Sequence, residues 1–193
     1  MGCVHIYCGD GKGKTTAAAG LAARMQGCGG HVVAARFLKT DDSGEVRALK
    51  SLPGIEILPC DRNFGFTWQM TESQREEASG YYGDMFEQAC KRALELCESL
   101  KSRGREEKRG EGPGRDCQTL LILDEIFAAC RNGFVQEKKV VDFLHNRPCN
   151  LEVVMTGRDP SEKLLQEADY VSEIVCRRHP FEKGVTARRG IEY

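Results

Sequence analysis

The residues best suited to chemistry form a glycine- and lysine-rich stretch at positions 8–16, with the sequence CGDGKGKTT. It follows the apolar run Val4–Tyr7 and precedes the alanine-rich run Ala17–Gln26, which predicts a strand, a loop and a helix in that order. A glycine-rich backbone in this context can turn its N–H groups towards phosphate oxygens, aided by the positive end of the helix. Lys14 would add a positive charge for the outer phosphates, and Thr15 a hydroxyl for Mg²⁺. The candidate phosphate-binding residues are Gly9, Asp10, Gly11, Lys12, Gly13, Lys14, Thr15 and Thr16.

This stretch departs from the usual phosphate-loop pattern, G-x-x-x-x-G-K-[ST], because Cys8 stands where the first glycine is required. Gly9 follows one residue late, while Gly11 and Lys12 add more glycine and more charge than the pattern demands. The alternative interpretation is a flexible surface loop. The readable strand before it and helix after it favour the phosphate-binding loop.

A pair of acids, Asp124 and Glu125, directly follows the apolar run Thr119–Leu123. A carboxylate at the end of such a strand can bind Mg²⁺, directly or through water, opposite the hydroxyl of Thr15. Acids at strand ends can also be ordinary structural residues. In combination with the upstream loop, the pair favours a site for a nucleoside triphosphate and Mg²⁺.

Three aromatic residues, Phe64, Phe66 and Trp68, alternate within the polar segment 60–70 (CDRNFGFTWQM). Large aromatic side chains are usually buried, so one interpretation places all three in the core. The other is an aromatic lid over a flat ligand, since aromatic side chains are typical of ligand pockets. The residues alone leave both interpretations open.

The elements that must position these residues alternate between strands and helices, which predicts an α/β domain with a mostly parallel sheet. We expect one P-loop NTPase-like (RecA-like), three-layer domain over residues 1–193, with the first strand central. The predicted strands are Val4–Tyr7, His31–Leu38, Ile55–Leu58, Thr119–Leu123, Leu151–Thr156 and Tyr170–Cys176. The predicted helices are Thr15–Gln26, Glu45–Lys50, Thr71–Lys101, Val135–His145 and Ser161–Ala168. Ligands bind at the carboxyl ends of the strands in such sheets.

The distribution of charge argues against nucleic acid as a partner. The formal net charge is −1, so no strong basic field covers the molecule. The segment 102–116 (SRGREEKRGEGPGRD) is dense in charge and glycine, but its acids interrupt its bases. We expect it to be a mobile charged loop, because it has nothing to bury.

Ten cysteines are many for 193 residues, but they are scattered and form no C-x-x-C pair. Without a secretion signal, reduced thiols that pack as small apolar side chains are expected. A zinc site is the alternative, although the usual ligand spacings are missing. No run is apolar and long enough for a membrane span. We therefore expect a cytoplasmic protein.

Nearly the whole sequence resembles the P-loop family of corrinoid adenosyltransferases (ATP:cob(I)alamin or cob(I)yrinic acid a,c-diamide adenosyltransferases). That family has a Gly-Asn/Asp-Gly-Lys-Gly-Lys-Thr-Thr loop, as found at 9–16 here. The family's loop also lacks the first glycine of the usual phosphate-loop pattern. The further matching motifs are Phe37-Leu38-Lys39, Gly65-Phe66-Thr67-Trp68, Leu123-Asp124-Glu125-Ile126, Arg147-Pro148, Thr156-Gly157-Arg158, Ala168-Asp169, His179-Pro180-Phe181, Lys183-Gly184 and Gly190-Ile191-Glu192-Tyr193.

The resemblance implies that a Co(I) corrinoid attacks the C5′ carbon of ATP, which forms a cobalt–carbon bond and expels triphosphate. The corrinoid would be cobalamin or a precursor, and both it and ATP are substrates. The phosphate-binding loop with Lys12 and Lys14 would hold the leaving group, with Mg²⁺ on Thr15 and Glu125 and with Asp124 behind them. No general base is implied, because the metal nucleophile has no proton to lose.

By the same resemblance, Phe66 and Trp68 pack against the axial face of a Co(II) corrinoid. Excluding the axial ligand there would favour reduction to Co(I), because axial ligation tunes the potential of such cofactors. His179 is expected to line the corrinoid pocket. A homodimer and a reduced flavoprotein as electron donor are also implied.

This sequence differs from the family pattern in three places. Arg36 stands where the family suggests glutamine, the segment 102–116 is longer, and the first strand starts at Val4 without the helical extension that helps to close the site. We therefore expect differences in closure, assembly and corrinoid preference.

Two other functions compete with this interpretation. A P-loop kinase or ATPase would transfer a phosphoryl group, release ADP and phosphate, and use an arginine such as Arg36 or Arg158 to stabilise charge. A non-enzymatic nucleotide switch or corrinoid carrier would bind without consuming ATP. The phosphate-binding loop argues against a carrier.

Overall fold

The computed structural model describes residues 1–106 and 119–192. The strands are β1 Val4–Cys8, β2 His31–Arg36, β3 Ile55–Ile57, β4 Thr119–Asp124, β5 Leu151–Thr156 and β6 Tyr170–Glu173. The helices are α1 Lys14–Gly27, α2 Gly44–Lys50, α3 Glu72–Glu106, α4 Ile126–Arg131, α5 Glu137–Asn146 and α6 Glu162–Gln166. Short 3-10 turns cover Thr67–Gln69 and Pro180–Lys183.

Within the described residues the six strands form one parallel sheet in the order β3-β2-β4-β5-β1-β6. This confirms the predicted α/β class and the mainly parallel sheet. The first strand was predicted to be central, but it lies next to the edge strand β6, and β4 and β5 occupy the middle. Parallel pairing brings the carboxyl ends of β1, β2, β4 and β5 to one edge of the sheet, where each strand is followed by a loop.

The predicted elements mostly agree with the structure, and β5 has the predicted bounds. The second strand ends earlier than expected, at Arg36, because Leu38 adopts a left-handed backbone conformation (φ 57°) that extended structure cannot include. The helix α4 was not predicted, since six residues are too few to establish helical periodicity. The predicted charged loop 102–116 starts inside α3, and from residue 107 onwards it lies outside the described residues.

The two faces of the sheet bury different layers of helices. Side chains at alternate positions of β4, such as Leu121 and Leu123, share a core with α3, α4 and α5. The intervening side chains, such as Leu120 and Ile122, share a core with Ala18 of α1 and with α2. This alternation follows from the period of two in a strand, and it produces the three layers of helix, sheet and helix.

The cysteines contribute to packing in the way expected of small apolar side chains. Cys60, Cys90 and Cys97 are buried and belong to the main core. In this part of the chain no group of three or more His, Cys, Asp or Glu side chains could hold a metal ion. The described helices also include none with both the length and the apolar character needed to cross a membrane.

The closeness of α3 to the sheet leads to a test of the fold. Ala89 is fully buried on the inner face of α3, whereas its neighbour Gln88 is exposed. We expect Ala89→Leu to lower the free energy of unfolding by about 1–3 kcal/mol, because the extra atoms force the helix away from the sheet. Gln88→Leu, the matched control, should change it by less than about 0.5 kcal/mol. Urea denaturation measures both, and equal effects of the two changes would contradict the packing described here.

Candidate active site

A cleft of about 990 Å³ lies at the carboxyl ends of the strands. Its floor is the phosphate-binding loop, from Asp10 to Thr16, and its walls come from the loops that follow β2, β4 and β5. Two more distant segments, Arg62–Phe66 and Gly190–Glu192, complete the lining together with His179. The cleft is therefore where the sheet topology predicts that a ligand binds.

Two glycines of the loop, Gly9 and Gly11, are required by a neighbouring segment of chain. Gly9 has φ 102°, and a Cβ atom there would lie 2.5 Å from the carbonyl oxygen of Ile174, just after β6. Gly11 approaches the same carbonyl, to which its N–H donates a hydrogen bond of 2.7 Å. Cys8, at the position of the missing glycine, is the last residue of β1 and faces the core. The shift of the first glycine by one residue thus follows from the close approach of this segment to the loop.

Asp10 ties the loop to the same neighbouring segment. Its Oδ1 atom accepts a hydrogen bond of 2.8 Å from the backbone N–H of Cys176. This hydrogen bond lowers the pKa of the Asp10 carboxyl. The carboxylate therefore helps to hold the loop in shape, in addition to lying at the rim of the cleft.

Lys14 is the buried cation at the base of the loop. It is only 8% exposed, and its ammonium donates a hydrogen bond of 2.8 Å to the carbonyl oxygen of Gly11. Burial lowers the pKa of Lys14, the Glu125 carboxylate opposes this shift, and the charges of Arg158 and Lys39 add to it. Several cations crowded around one end of the cleft form an environment in which a polyanion is stabilised.

Asp124 connects four elements through one buried carboxylate. Its Oδ1 atom accepts hydrogen bonds from the hydroxyls of Thr15 (2.9 Å) and Thr156 (2.5 Å). Its Oδ2 atom accepts one from the ammonium of Lys39 at 2.7 Å. Asp124 is 2% exposed, so these donors replace the water that the charge loses on folding.

Glu125 is directed differently from its neighbour. It has φ 62°, an uncommon conformation for a residue other than glycine, and it stands immediately before α4. Its backbone N–H donates a hydrogen bond of 3.1 Å to the Thr156 hydroxyl, and the residue lines the cleft. Strained backbone at the edge of a cleft is typical of functional sites.

These residues form a suitable environment for Mg²⁺. Thr15 and Asp124 place a hydroxyl and a carboxylate beside each other, and Glu125 adds a second carboxylate to the same cleft. The Lys39 ammonium lies 2.7 Å from both Thr15 Oγ1 and Asp124 Oδ2, which shows that a cation fits between these oxygens. Hard oxygen donors of this kind are the ligands that Mg²⁺ prefers.

The aromatic segment divides between the core and the surface. Phe64 packs partly buried against Tyr81 and Tyr82, as the core interpretation predicts. Phe66 and Trp68 are 60% and 73% exposed, and their rings stack on each other with centroids 4.5 Å apart. Phe66 lines the cleft. The core interpretation is therefore wrong for these two residues, which expose a flat apolar surface.

The aromatic pair is fixed by polar contacts beneath it. The Thr67–Gln69 turn carries Trp68, and the guanidinium of Arg75 in α3 donates a hydrogen bond of 2.8 Å to the Thr67 carbonyl. Gly65 precedes the pair in a left-handed conformation (φ 73°) that favours glycine. The pair thus projects from a short, hydrogen-bonded turn.

His179 and the end of the chain form the remaining wall of the cleft. The Nδ1 atom of His179 accepts a hydrogen bond of 3.2 Å from the backbone N–H of Phe181 and so caps the 3-10 turn Pro180–Lys183. Nearby, the side chain of Arg188 binds the Glu192 carboxylate and lowers its pKa to about 2. Glu192 was not identified from the sequence as a site residue, although it belongs to a motif that carries the family resemblance.

Two other residues of the site were not identified from the sequence, and both stand at or just beyond strand ends. Lys39 follows β2 and Thr156 ends β5, and both contact Asp124. Arg36, the last residue of β2, was considered only for charge stabilisation. Its buried guanidinium donates a hydrogen bond of 2.9 Å to the Ser43 hydroxyl, close to Asp41 and Glu45. Their positions at the carboxyl edge of the sheet were the available signal.

The fold and the site define a P-loop nucleotide-binding protein. A solved structure has a similar fold: the cytoplasmic domain of the Type VII secretion ATPase EccC from Thermomonospora curvata, with a TM-score of 0.51 and 14% identity. That match covers 89% of this chain but 20% of the solved chain, and it concerns the fold alone.

Residues 1–193 match the family model for the ATP:corrinoid adenosyltransferases BtuR/CobO/CobP, so the chain belongs to this family. It is 33% identical over 193 residues to the corrinoid adenosyltransferase CobA of Salmonella typhimurium, covering all of this chain and 86% of the relative. It is 29% identical to a corrinoid adenosyltransferase of Pseudomonas aeruginosa, and this match covers 100% of this chain and 84% of the relative. The predicted enzyme class is confirmed, and the kinase or ATPase alternative is not favoured.

The position of Thr156 behind both acids leads to a test of the site. Thr156→Val keeps the side-chain shape but removes the donor to Asp124 and the acceptor for the Glu125 N–H. We expect a loss of about 1–3 kcal/mol in the free energy of unfolding and weaker Mg·ATP binding, because buried polar groups are left unpaired. Urea denaturation and isothermal titration calorimetry measure the two effects. Thr156→Ser should restore most of both, and a valine variant with unchanged ATP affinity would contradict this role.

Proposed function

We propose that this enzyme catalyses attack of a Co(I) corrinoid on the C5′ carbon of ATP, with inorganic triphosphate as the leaving group. The proposal rests on two kinds of residue that line the same cleft. A phosphate-binding loop with several cations lies in the same cleft as the exposed aromatic residue Phe66, which stacks on Trp68. A nucleotide held at the loop and a flat corrinoid held at the aromatic pair would therefore share one cavity.

The loop residues would bind and stabilise the leaving group. Lys12 and Lys14, together with Arg158, bring three positive charges to the end of the cleft where the loop lies. Charge that accumulates on the departing triphosphate is stabilised by preorganised cations and N–H donors. A Mg²⁺ ion held by Thr15 with Asp124 and Glu125 would supply further neutralisation of that charge. We assign ATP binding to residues Gly9–Thr16 on these grounds.

The aromatic pair would prepare the corrinoid for attack. Phe66 and Trp68 have large exposed faces at one short turn, a surface that can pack against a macrocycle and exclude water from one axial side. Without its axial ligand, a Co(II) corrinoid is more easily reduced to the Co(I) nucleophile. His179, which lines the same cleft, would also contact the corrinoid. The chain needs no general base for this step.

The family membership supports three further parts of the proposal. The electron donor is a reduced flavoprotein, the enzyme works in the cytoplasm, and it forms a homodimer. The exposed apolar side chains of Val171 and Val175, at and after the edge strand β6, are the kind of surface that a second subunit covers.

The products of the reaction test the proposal directly. We expect the protein, Mg·ATP, cob(II)alamin and a chemical reductant without oxygen to yield light-sensitive adenosylcobalamin and one triphosphate per product. Lys14→Ala should reduce the rate at least 100-fold, because a buried cation at the leaving group is lost. Visible absorption and phosphorus NMR measure the two products. Release of ADP and phosphate without a cobalt–carbon product would overturn the proposal.

The aromatic pair is tested by changing the oxidation state of the substrate. We expect Trp68→Ala to lose most of its activity when Co(II) must be reduced in the assay, but to keep it with Co(I) supplied, because its role precedes attack. Tyr170→Ala, an exposed aromatic residue of β6 outside the cleft, is the control and should match wild type with both substrates. Equal loss with Co(I) and Co(II) would show that Trp68 acts in binding or attack instead.

A further inference from the structure

A lysine occupies the position between the two oxygens that the proposed metal site would use. The Lys39 ammonium lies 2.7 Å from Thr15 Oγ1 and 2.7 Å from Asp124 Oδ2. In the described part of the chain, the ion pair of Asp124 is formed with this residue. The side chain of Asp124 is 2% exposed and that of Lys39 is 26% exposed, so the cation borders the cleft while the anion lies beneath it.

The backbone around Lys39 aims the side chain at this position. Leu38 has φ 57°, a left-handed conformation that is unfavourable for a side chain of its size. The turn is held on both sides, because the Phe37 N–H donates to the Asp124 carbonyl (2.9 Å) and the Cys60 thiol donates to the Lys39 carbonyl (2.7 Å). A strained turn fixed at both ends indicates that the placement of Lys39 matters for function.

The charge balance explains why a cation is needed there before any ligand binds. Thr15 and Thr156 give Asp124 hydrogen bonds but no positive charge. A buried carboxylate without a compensating charge is strongly destabilising, and Lys39 supplies that charge. A divalent cation on the same oxygens would supply it instead. Two cations cannot occupy the same space, so one must leave when the other enters.

We propose that Lys39 is a displaceable internal cation: it neutralises Asp124 in the free enzyme and gives way to the divalent metal. The released ammonium remains in the cleft beside the phosphate-binding loop, where it joins Lys14 in binding the triphosphate. This inference rests on the proposed metal role of Thr15 and Asp124, but it does not depend on the corrinoid.

Metal binding without nucleotide or corrinoid tests the exchange. We would titrate Mn²⁺ into wild type, Lys39→Met, Lys39→Arg and Lys50→Met, and measure free Mn²⁺ by electron paramagnetic resonance. Lys50 is the control because it pairs with Asp41 at 2.8 Å on the surface. We expect Lys39→Met to bind Mn²⁺ at least tenfold more tightly than wild type, since the competing charge is gone, and the other two variants to stay within about twofold of wild type.

Thermal unfolding of the same variants gives a second result. Lys39→Met should unfold several degrees below wild type without metal, because the Asp124 charge is left unpaired, and Mn²⁺ should raise its midpoint more than that of wild type. Equal or weaker Mn²⁺ binding by Lys39→Met, including no measurable binding in either protein, would overturn the proposal. It would mean that Lys39 does not stand in the place of the metal.

A measurement on wild type covers the case in which Lys39→Met does not fold. Acetylation of lysines with a water-soluble reagent, followed by mass spectrometry, reports how accessible each ammonium is. We expect acetylation of Lys39, relative to that of Lys50, to rise at least threefold when saturating MgCl₂ is added, because the ammonium leaves Asp124. An unchanged ratio would show that Lys39 stays paired and would also overturn the proposal.

These results are separate from the test of the proposed reaction. If Mn²⁺ displaces Lys39 but no adenosylcobalamin forms, the internal cation stands and the proposed reaction fails. If adenosylcobalamin forms but Lys39 neither competes with Mn²⁺ nor becomes reactive with MgCl₂, the reaction stands and Lys39 is a permanent structural partner of Asp124.

Discussion

The buried carboxylate of Asp124 is the constraint on which the architecture of the cleft depends. It ends β4 and accepts hydrogen bonds from the first turn of α1, from the end of β5 and from the turn after β2, through Thr15, Thr156 and Lys39. A charge with so little exposure is tolerated only where its donors converge, and loss of a charged partner costs several kcal/mol. The folded state is therefore favoured only when the ends of β4 and β5, the first turn of α1 and the turn after β2 lie side by side. The same convergence places the loop, the acids and the lysine around one cavity.

The segment that follows β6 constrains the shape of the phosphate-binding loop. The segment after β6 passes so close that Gly9 and Gly11 leave no room for a side chain, and Asp10 holds that segment through the Cys176 N–H. The N–H of Gly11 is used by the Ile174 carbonyl, so the phosphate-facing donors must come from the rest of the loop. Among the described strands, β6 is an edge strand that pairs with β1 alone. The contacts between the loop and the segment after β6 therefore help to hold this strand in place, and the strand in turn fixes the shape of the loop.

Much of this arrangement could be predicted from the sequence, because local patterns determine it. The run Leu151–Thr156 is mostly apolar and bounded by turn residues, so its limits were predictable. The topology of parallel sheets likewise predicted that the acids at the end of β4 lie at the cleft. The roles of Lys39 and Thr156 were not predictable, since they depend on strand pairing between residues far apart in sequence. The alternating spacing of the aromatic residues also could not predict that Phe64 is partly buried and Phe66 exposed. Their segment is not a strand, so it has no regular inner face.

The proposed displacement at carbon makes different demands on the cleft from phosphoryl transfer. Phosphoryl transfer requires a residue that positions an incoming oxygen nucleophile, and often one that receives its proton. Attack by a Co(I) centre requires neither, so in the proposed reaction the enzyme would hold the leaving group and prepare the metal nucleophile. The cations at the loop suit the first task and the exposed pair Phe66–Trp68 suits the second. Glu125 lines the same cavity from a strained backbone, and in the proposal its carboxylate would hold a metal ion at the leaving group.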